Sequence, residues 1–205
     1  MPVFKVICFS PGESEIELFY RFFHHRQYRR AVCPWLVLWL VDSREPGVHN
    51  YYMNLSELLE SSLILPKAAC TSKDEFISKL LDKIYNTGYE PPLPAREVLR
   101  IIQMREEIGG TMLPSGLSVP HARLKEYDDF ILAIGTPGVP IIHQGIQLRL
   151  MTLMISSQSG GPLYLPVLGA LTKITRDREY LSLLCDAETP EQFIALVKER
   201  DVELT

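Results

Sequence analysis

The stretch that most constrains the fold is Leu148 to Ile155, L-R-L-M-T-L-M-I, the most continuously apolar run from residue 54 onward. A strand with one face in water alternates apolar and polar residues. A short run that is apolar at nearly every position is instead buried on both faces. Such a strand belongs at the centre of a sheet, and something must then cover each side. The neighbouring segments supply helices for that purpose, interleaved with strands from residue 54 to the end. The expected architecture is α/β, a mixed sheet sandwiched between helices.

Those segments carry their own signals. Asn54 is read as the cap of a short amphipathic helix with Leu55, Leu58 and Leu59 on one face, followed by an extended apolar stretch from Leu63 to Ala69. Ser72 and Glu75 form a capping box for a helix carrying Phe76, Ile77, Leu80, Leu81 and Ile84, closed by Gly88. After Pro91-Pro92-Leu93-Pro94, a helix from about Ala95 carries Val98, Leu99, Ile101 and Ile102 and ends near Glu107, which puts Arg105 in its last turn. Leu117 to Val119 and Phe130 to Gly135 read as strands, and the segment through His143 as a hairpin-like crossing. Ser156 to Gly161 reads as a small-residue loop. Helices are expected from Tyr164, over about Arg178 to Cys185, and after the box Thr189-Pro190-Glu191-Gln192, which places proline at the first helical position.

The totals exclude several classes. A formal charge of −4 with pI near 5.8 leaves no basic footprint, so no nucleic acid is expected as a partner. Cys8, Cys33, Cys70 and Cys185 form no C-x-x-C pair, which argues against a structural metal site or a disulfide framework and for a reducing cytoplasm. Pro34 to Val41 is apolar but far shorter than the roughly 20 residues of a membrane-spanning helix, so no membrane insertion is expected. No cofactor is called for.

Chemistry concentrates in Arg105 to Arg123, R-E-E-I-G-G-T-M-L-P-S-G-L-S-V-P-H-A-R. Pro120 fixes its own φ and pushes Val119 towards extended geometry, so the imidazole of His121 leaves a strand end in a defined direction. That is a suitable mounting for a nucleophile. Adjacent His24 and His25, beside Arg26, Arg29 and Arg30, do not form a comparable site, because neighbours on a helix or strand point different ways. His143 has no partners that would make it a metal ligand.

The ordered set R-E-x-x-G-x-T, then G-x-x-x-P-H-A-R, then a strand and a Leu-spaced helix resembles the IIA domains of the bacterial phosphotransferase system, fructose/mannitol class. Within that class it is nearest to the nitrogen-regulatory branch. The resemblance runs from about Met53 to the C-terminus, which divides the chain into an N-terminal extension, residues 1–52, and an EIIA type-2-like domain, residues 53–205. The extension shows no clean period, and M-N-L-S-E-L-L opens like a family domain, so the reading is either that Met53 is the true start or that the extension is real and docks on the domain through Trp35 and Trp39.

The resemblance implies a phosphoryl carrier of a phosphoenolpyruvate-dependent system. His121 would be the nucleophile that becomes tele-phosphohistidine, taking phosphate from an HPr-like phosphocarrier protein. Arg105 would stabilise the phosphoryl oxygens, with Thr111 and Ser118 as hydroxyl donors and Arg123 as a secondary cation. The family commonly places a second histidine at the start of the helix after the central strand; here Tyr164 stands in that position. A phenol donates a neutral hydrogen bond and brings no positive charge, so onward transfer is expected to be altered. Downstream partners implied are an EIIB domain or, as in the nitrogen-regulatory relatives, a regulated transporter or sensor kinase. With no EIIB or membrane segment attached, regulation is favoured over dedicated sugar import.

Overall fold

The computed structural model describes residues 53–158, 163–200 and 204. Expectations for residues 1–52 therefore lie outside the described residues, as does the second half of the small-residue loop, residues 159–161. In chain order the elements are α1 (Leu55–Leu58), a 3-10 turn (Ser61–Leu63), β1 (Ile64–Ala68), α2 (Lys73–Asn86) and α3 (Ala95–Gly109). Then come β2 (Leu117–Ser118), β3 (His121–Leu124), β4 (Ile131–Pro137), β5 (Ile141–His143), β6 (Ile146–Leu148) and β7 (Leu150–Ser157). Helices α4 (Tyr164–Arg176), α5 (Arg178–Asp186) and α6 (Pro190–Arg200) complete the order.

The long apolar strand is indeed central. β7 pairs antiparallel with β4 on one side and parallel with β2 and β3 on the other, while β1 runs parallel to β4 on its far edge. The sheet is therefore mixed. Both faces of β7 and β4 are buried, with a clean period of two. Leu132, Ile134, Leu150 and Met154 pack with Val167, Leu171, Leu184, Phe193 and Val197 from α4 to α6. Ile131, Ala133, Met151, Leu153 and Ile155 pack with Phe76, Leu80, Ile84, Val98 and Ile102 from α2 and α3. Helices cover both sides, as the sandwich requires.

The boundaries differ from the sequence reading in informative places. Leu148 belongs to β6, opposite Ile141 in a two-residue hairpin whose turn, Gln144-Gly145, takes positive φ at both positions. The central strand therefore starts at Leu150 and takes Ser156 and Ser157 with it. Asn54 sits at the N-cap of α1 but makes no capping bond, and its side-chain oxygen is buried with no partner among the described residues. A four-residue helix leaves little to cap. Ser72 accepts the Glu75 N–H at 3.1 Å as expected, whereas the Glu75 carboxylate reaches back one residue further, to Thr71 N at 2.8 Å. At Thr189 and Gln192 the reciprocal box forms, with Gln192 N on the Thr189 hydroxyl at 3.2 Å. α3 runs on to Gly109 and stops at Gly110, whose φ of +50° suits glycine, so Arg105 lies just before the last turn rather than in it.

Candidate active site at the sheet edge

Pro120 interrupts the ladder because it has no N–H to donate. β2 ends at Ser118 and β3 begins at His121, both running alongside β7. The Pro120 carbonyl still accepts the Met154 N–H at 3.1 Å, and Val119 N–H bonds the Thr111 carbonyl at 3.2 Å. The backbone on either side of the break is thus anchored to the central strand and to the loop after α3. His121 is the first residue of β3, half-buried, with Ala122 and Leu124 turned into the α2–α3 layer. His121 and Arg123 share the opposite face, as the two-residue spacing predicts.

Tyr164, the first residue of α4, meets them there. Its ring lies edge-on to the His121 imidazole, centroids 5.3 Å apart, and the Arg123 guanidinium lies 4.8 Å from the Tyr164 centroid. Arg105, an exposed residue of α3 in the other helix layer, acts on His121 through its charge. The site lies where the two layers meet at the β3 edge.

One contact sets the chemistry of the imidazole. Nδ1 of His121 is 3.2 Å from the Val119 carbonyl oxygen. A carbonyl can only accept, so Nδ1 carries the proton and the lone pair of neutral His121 is on Nε2. Burial is the main influence pulling the imidazole pKa below its ordinary 6.5. The Val119 bond works the other way, the positive charges of Arg105 and Arg123 add to the depression, and Glu106 opposes it. The net result is a ring that is neutral at neutral pH, under the influence of two cations.

The hydroxyls are less simple. Thr111 donates its hydroxyl to Glu106 at 2.5 Å and its N–H to the same carboxylate at 3.3 Å. Ser118 is fully buried, and its hydroxyl has no hydrogen-bond partner among the described residues. Two residues with no role in the sequence reading hold this corner together. Glu106 also pairs with Lys73, the first residue of α2, which is only 4% exposed. Burial pushes the Glu106 carboxyl up, but its bonds to Lys73 and Thr111 more than offset this and hold it below the usual carboxylate range. A sequence signal did exist: a lysine in the first turn of a helix opposes the helix dipole and calls for a nearby carboxylate.

The chain's residues 57–200 match the family described as phosphoenolpyruvate-dependent sugar phosphotransferase system, EIIA 2. The chain belongs to this family. Among curated proteins, this EIIA 2 chain is 26% identical over 153 residues to the PTS system 2-O-alpha-mannosyl-D-glycerate-specific EIIABC component of Escherichia coli K12. That match takes in 72% of the chain but spans only 23% of the relative's length. A nitrogen regulatory protein of Bradyrhizobium diazoefficiens is 24% identical over 131 residues, 62% of this chain and 83% of that protein. Solved structures of the same fold include nitrogen regulatory protein IIA-Ntr from Neisseria meningitidis, with TM-score 0.56, 18% identity, and coverage of 69% of this chain and 97% of that one. Mannitol IIA from Escherichia coli gives TM-score 0.57 at 17% identity, covering 68% and 98%.

Proposed function

We propose that the EIIA 2 domain is a phosphoryl carrier in which Nε2 of His121 accepts phosphate from an HPr-like phosphocarrier protein. The observation that carries this reading is the Nδ1–Val119 bond, which leaves Nε2 as the attacking nitrogen and gives the tele isomer. In the transfer, the P–N bond on the donor imidazole breaks as the bond to Nε2 forms, and the donor ring keeps the electron pair. Nδ1 retains its proton on the Val119 carbonyl, so positive charge arising on the ring is shared with that dipole. Arg105 and Arg123 offset the phosphoryl charge, and Tyr164 offers a hydroxyl where the family's second histidine commonly stands. Thr111 has its hydroxyl proton on Glu106, so its part is to hold the loop; Ser118, opposite Met151 on the α2–α3 face, lies beside the strand break with a hydroxyl that has no partner among the described residues.

From phospho-His121 the group passes to an EIIB domain, or the phosphorylation state itself signals to a regulated transporter or sensor kinase. Mannitol IIA has been solved in complex with phosphorylated IIB, which supports the first route for a protein of this fold. The regulatory reading is favoured by the nitrogen regulatory relative, because the match spans most of that protein's length. Among the described residues no helix is long and apolar enough to cross a membrane, and we place the carrier in the cytoplasm. Incubation with enzyme I, phosphocarrier protein and phosphoenolpyruvate, followed by intact mass, tests the proposal. One acid-labile phosphate per chain is the expected result, lost in His121→Ala and kept in His24→Ala, His25→Ala and His143→Ala. No phosphate with a competent donor, or phosphate on another residue, would overturn it.

A further inference from the structure

At the end of α4 opposite Tyr164 there is a cavity of about 410 Å³ whose lining includes Ser115, Gly116, Arg149, Thr175, Arg176 and Arg178. Its size falls within the roughly 300–1,000 Å³ of small-molecule sites. Thr175 lies eleven positions along α4 from Tyr164, a rise of about 16 Å at ~1.5 Å per residue, so the cavity is separate from the His121 edge.

Its charge is one-sided. Three arginines line it and no carboxylate does. Asp177, between Arg176 and Arg178 in sequence, has its carboxylate turned to the Tyr180 N–H at 3.0 Å and to Arg200. Among the described residues none of the three arginines has an acidic partner within ion-pair distance. Arg149 is also built in. Its guanidinium donates to the Ser182 hydroxyl at 2.8 Å, and its side chain lies over Gly116, where an added Cβ would come within 2.6 Å of Arg149 Cγ. Ser115 donates its hydroxyl to Thr175 at 3.2 Å and Thr175 in turn to the Thr172 carbonyl at 3.4 Å, which ties the cavity wall together. Arginine side chains lining a concave space match the oxygens of a tetrahedral dianion, which guanidinium groups bind through charge-assisted and bidentate hydrogen bonds.

We propose that this cavity is a second anion site, independent of His121, that binds a compact phosphate-bearing molecule. Free phosphate and a small phosphate ester share the recognising chemistry, and the test separates them. The full chain is titrated with inorganic phosphate, glycerol phosphate and glycerol while its amide NMR spectrum is followed at matched ionic strength in sodium chloride. The expected result is a saturable shift at Ser115, Gly116, Arg149, Arg176 and Arg178 with one or both phosphates and none with glycerol; the tighter of the two identifies the source. The double variant Arg176→Gln/Arg178→Gln, both exposed positions, should weaken binding at least about tenfold with an unchanged melting temperature, the loss expected when charged donors are made neutral. His121→Ala should bind as the parent does. The site is refuted if neither phosphate saturates, if sodium chloride alone reproduces the shifts, if the double variant binds equally well, or if only an acidic peptide such as polyglutamate binds.

Discussion

At the scale of the residue, His121 has two properties that titration and kinetics read separately. Its pKa lies below the ordinary 6.5, so the ring stays neutral to a lower pH than a free imidazole. Protonation of Nε2 removes the attacking lone pair. The phosphorylation rate should therefore be level through neutral pH and fall as pH drops through a midpoint more acidic than 6.5. Proton NMR of the ring should report the same midpoint. Arg105→Ala and Arg123→Ala each remove a cation that depresses this pKa, so each should move the midpoint back upward. Arg105→Ala should also leave stability within roughly ±0.5 kcal/mol, as for other exposed positions, while slowing phosphorylation strongly. An unaltered rate would remove Arg105 from the mechanism. At Tyr164 the contrast is between a neutral donor and an ionisable one. Tyr164→His should speed transfer to an acceptor by about tenfold, the equivalent of ~1.4 kcal/mol in the barrier. A change confined to partner binding, with transfer rates unmoved, would mean that the tyrosine serves regulation.

At the scale of the element, α2 and α3 are joined by a buried ion pair whose other arm fastens the loop after α3. Removing one member leaves the other charge buried without compensation. Glu106→Ala should thus cost on the order of 3–5 kcal/mol in urea unfolding, as other broken buried pairs do. The double change Lys73→Met/Glu106→Met should recover much of that loss, since apolar replacement of a whole buried pair is often neutral. The pH dependence follows from the lowered Glu106 pKa. Its contribution is fully present above the ordinary carboxylate pKa of 4.5, because there the group is ionised in both states. It is lost as pH falls through the lower folded value, when the folded state must also take up the proton. An unfolding midpoint in Glu106→Ala equal to the parent's would contradict this account.

At the scale of the whole molecule, the central strand, both helix layers and the whole β3 edge lie within residues 53–204, and the family match begins at residue 57. A chain starting at Met53 should therefore fold and melt at nearly the temperature of the full chain. A clear drop in Tm, or insolubility of the short form, would make residues 1–52 part of the packed structure.

Local chemistry was enough to determine a good deal of this protein. The apolar run of β7, the helical spacing from Phe76 to Ile84, the box at Thr189 and the proline before His121 each act over a few residues, so they could be read in one dimension. The two-residue spacing that sets Arg123 on the His121 face is of the same kind. What the tertiary structure alone decided depends on residues far apart in sequence. The register of β5 against β6 moved Leu148 out of the central strand, because a two-residue turn at Gln144-Gly145 fixes the pairing regardless of how apolar the next residue is. The partner of Lys73 is 33 positions away, and Val119 is held by Thr111 across a loop. The tautomer of His121 is set by a carbonyl only two residues away, Val119, but that backbone is held in place by Thr111 and Met154, which are distant in sequence. The cavity arginines come from β7's approach and from either side of the α4–α5 junction, a gathering with no sequence spacing to announce it. Burial and hydrogen bonding set both the protonation of His121 and the partners of the charges, and neither is complete until the sheet and its helices have closed.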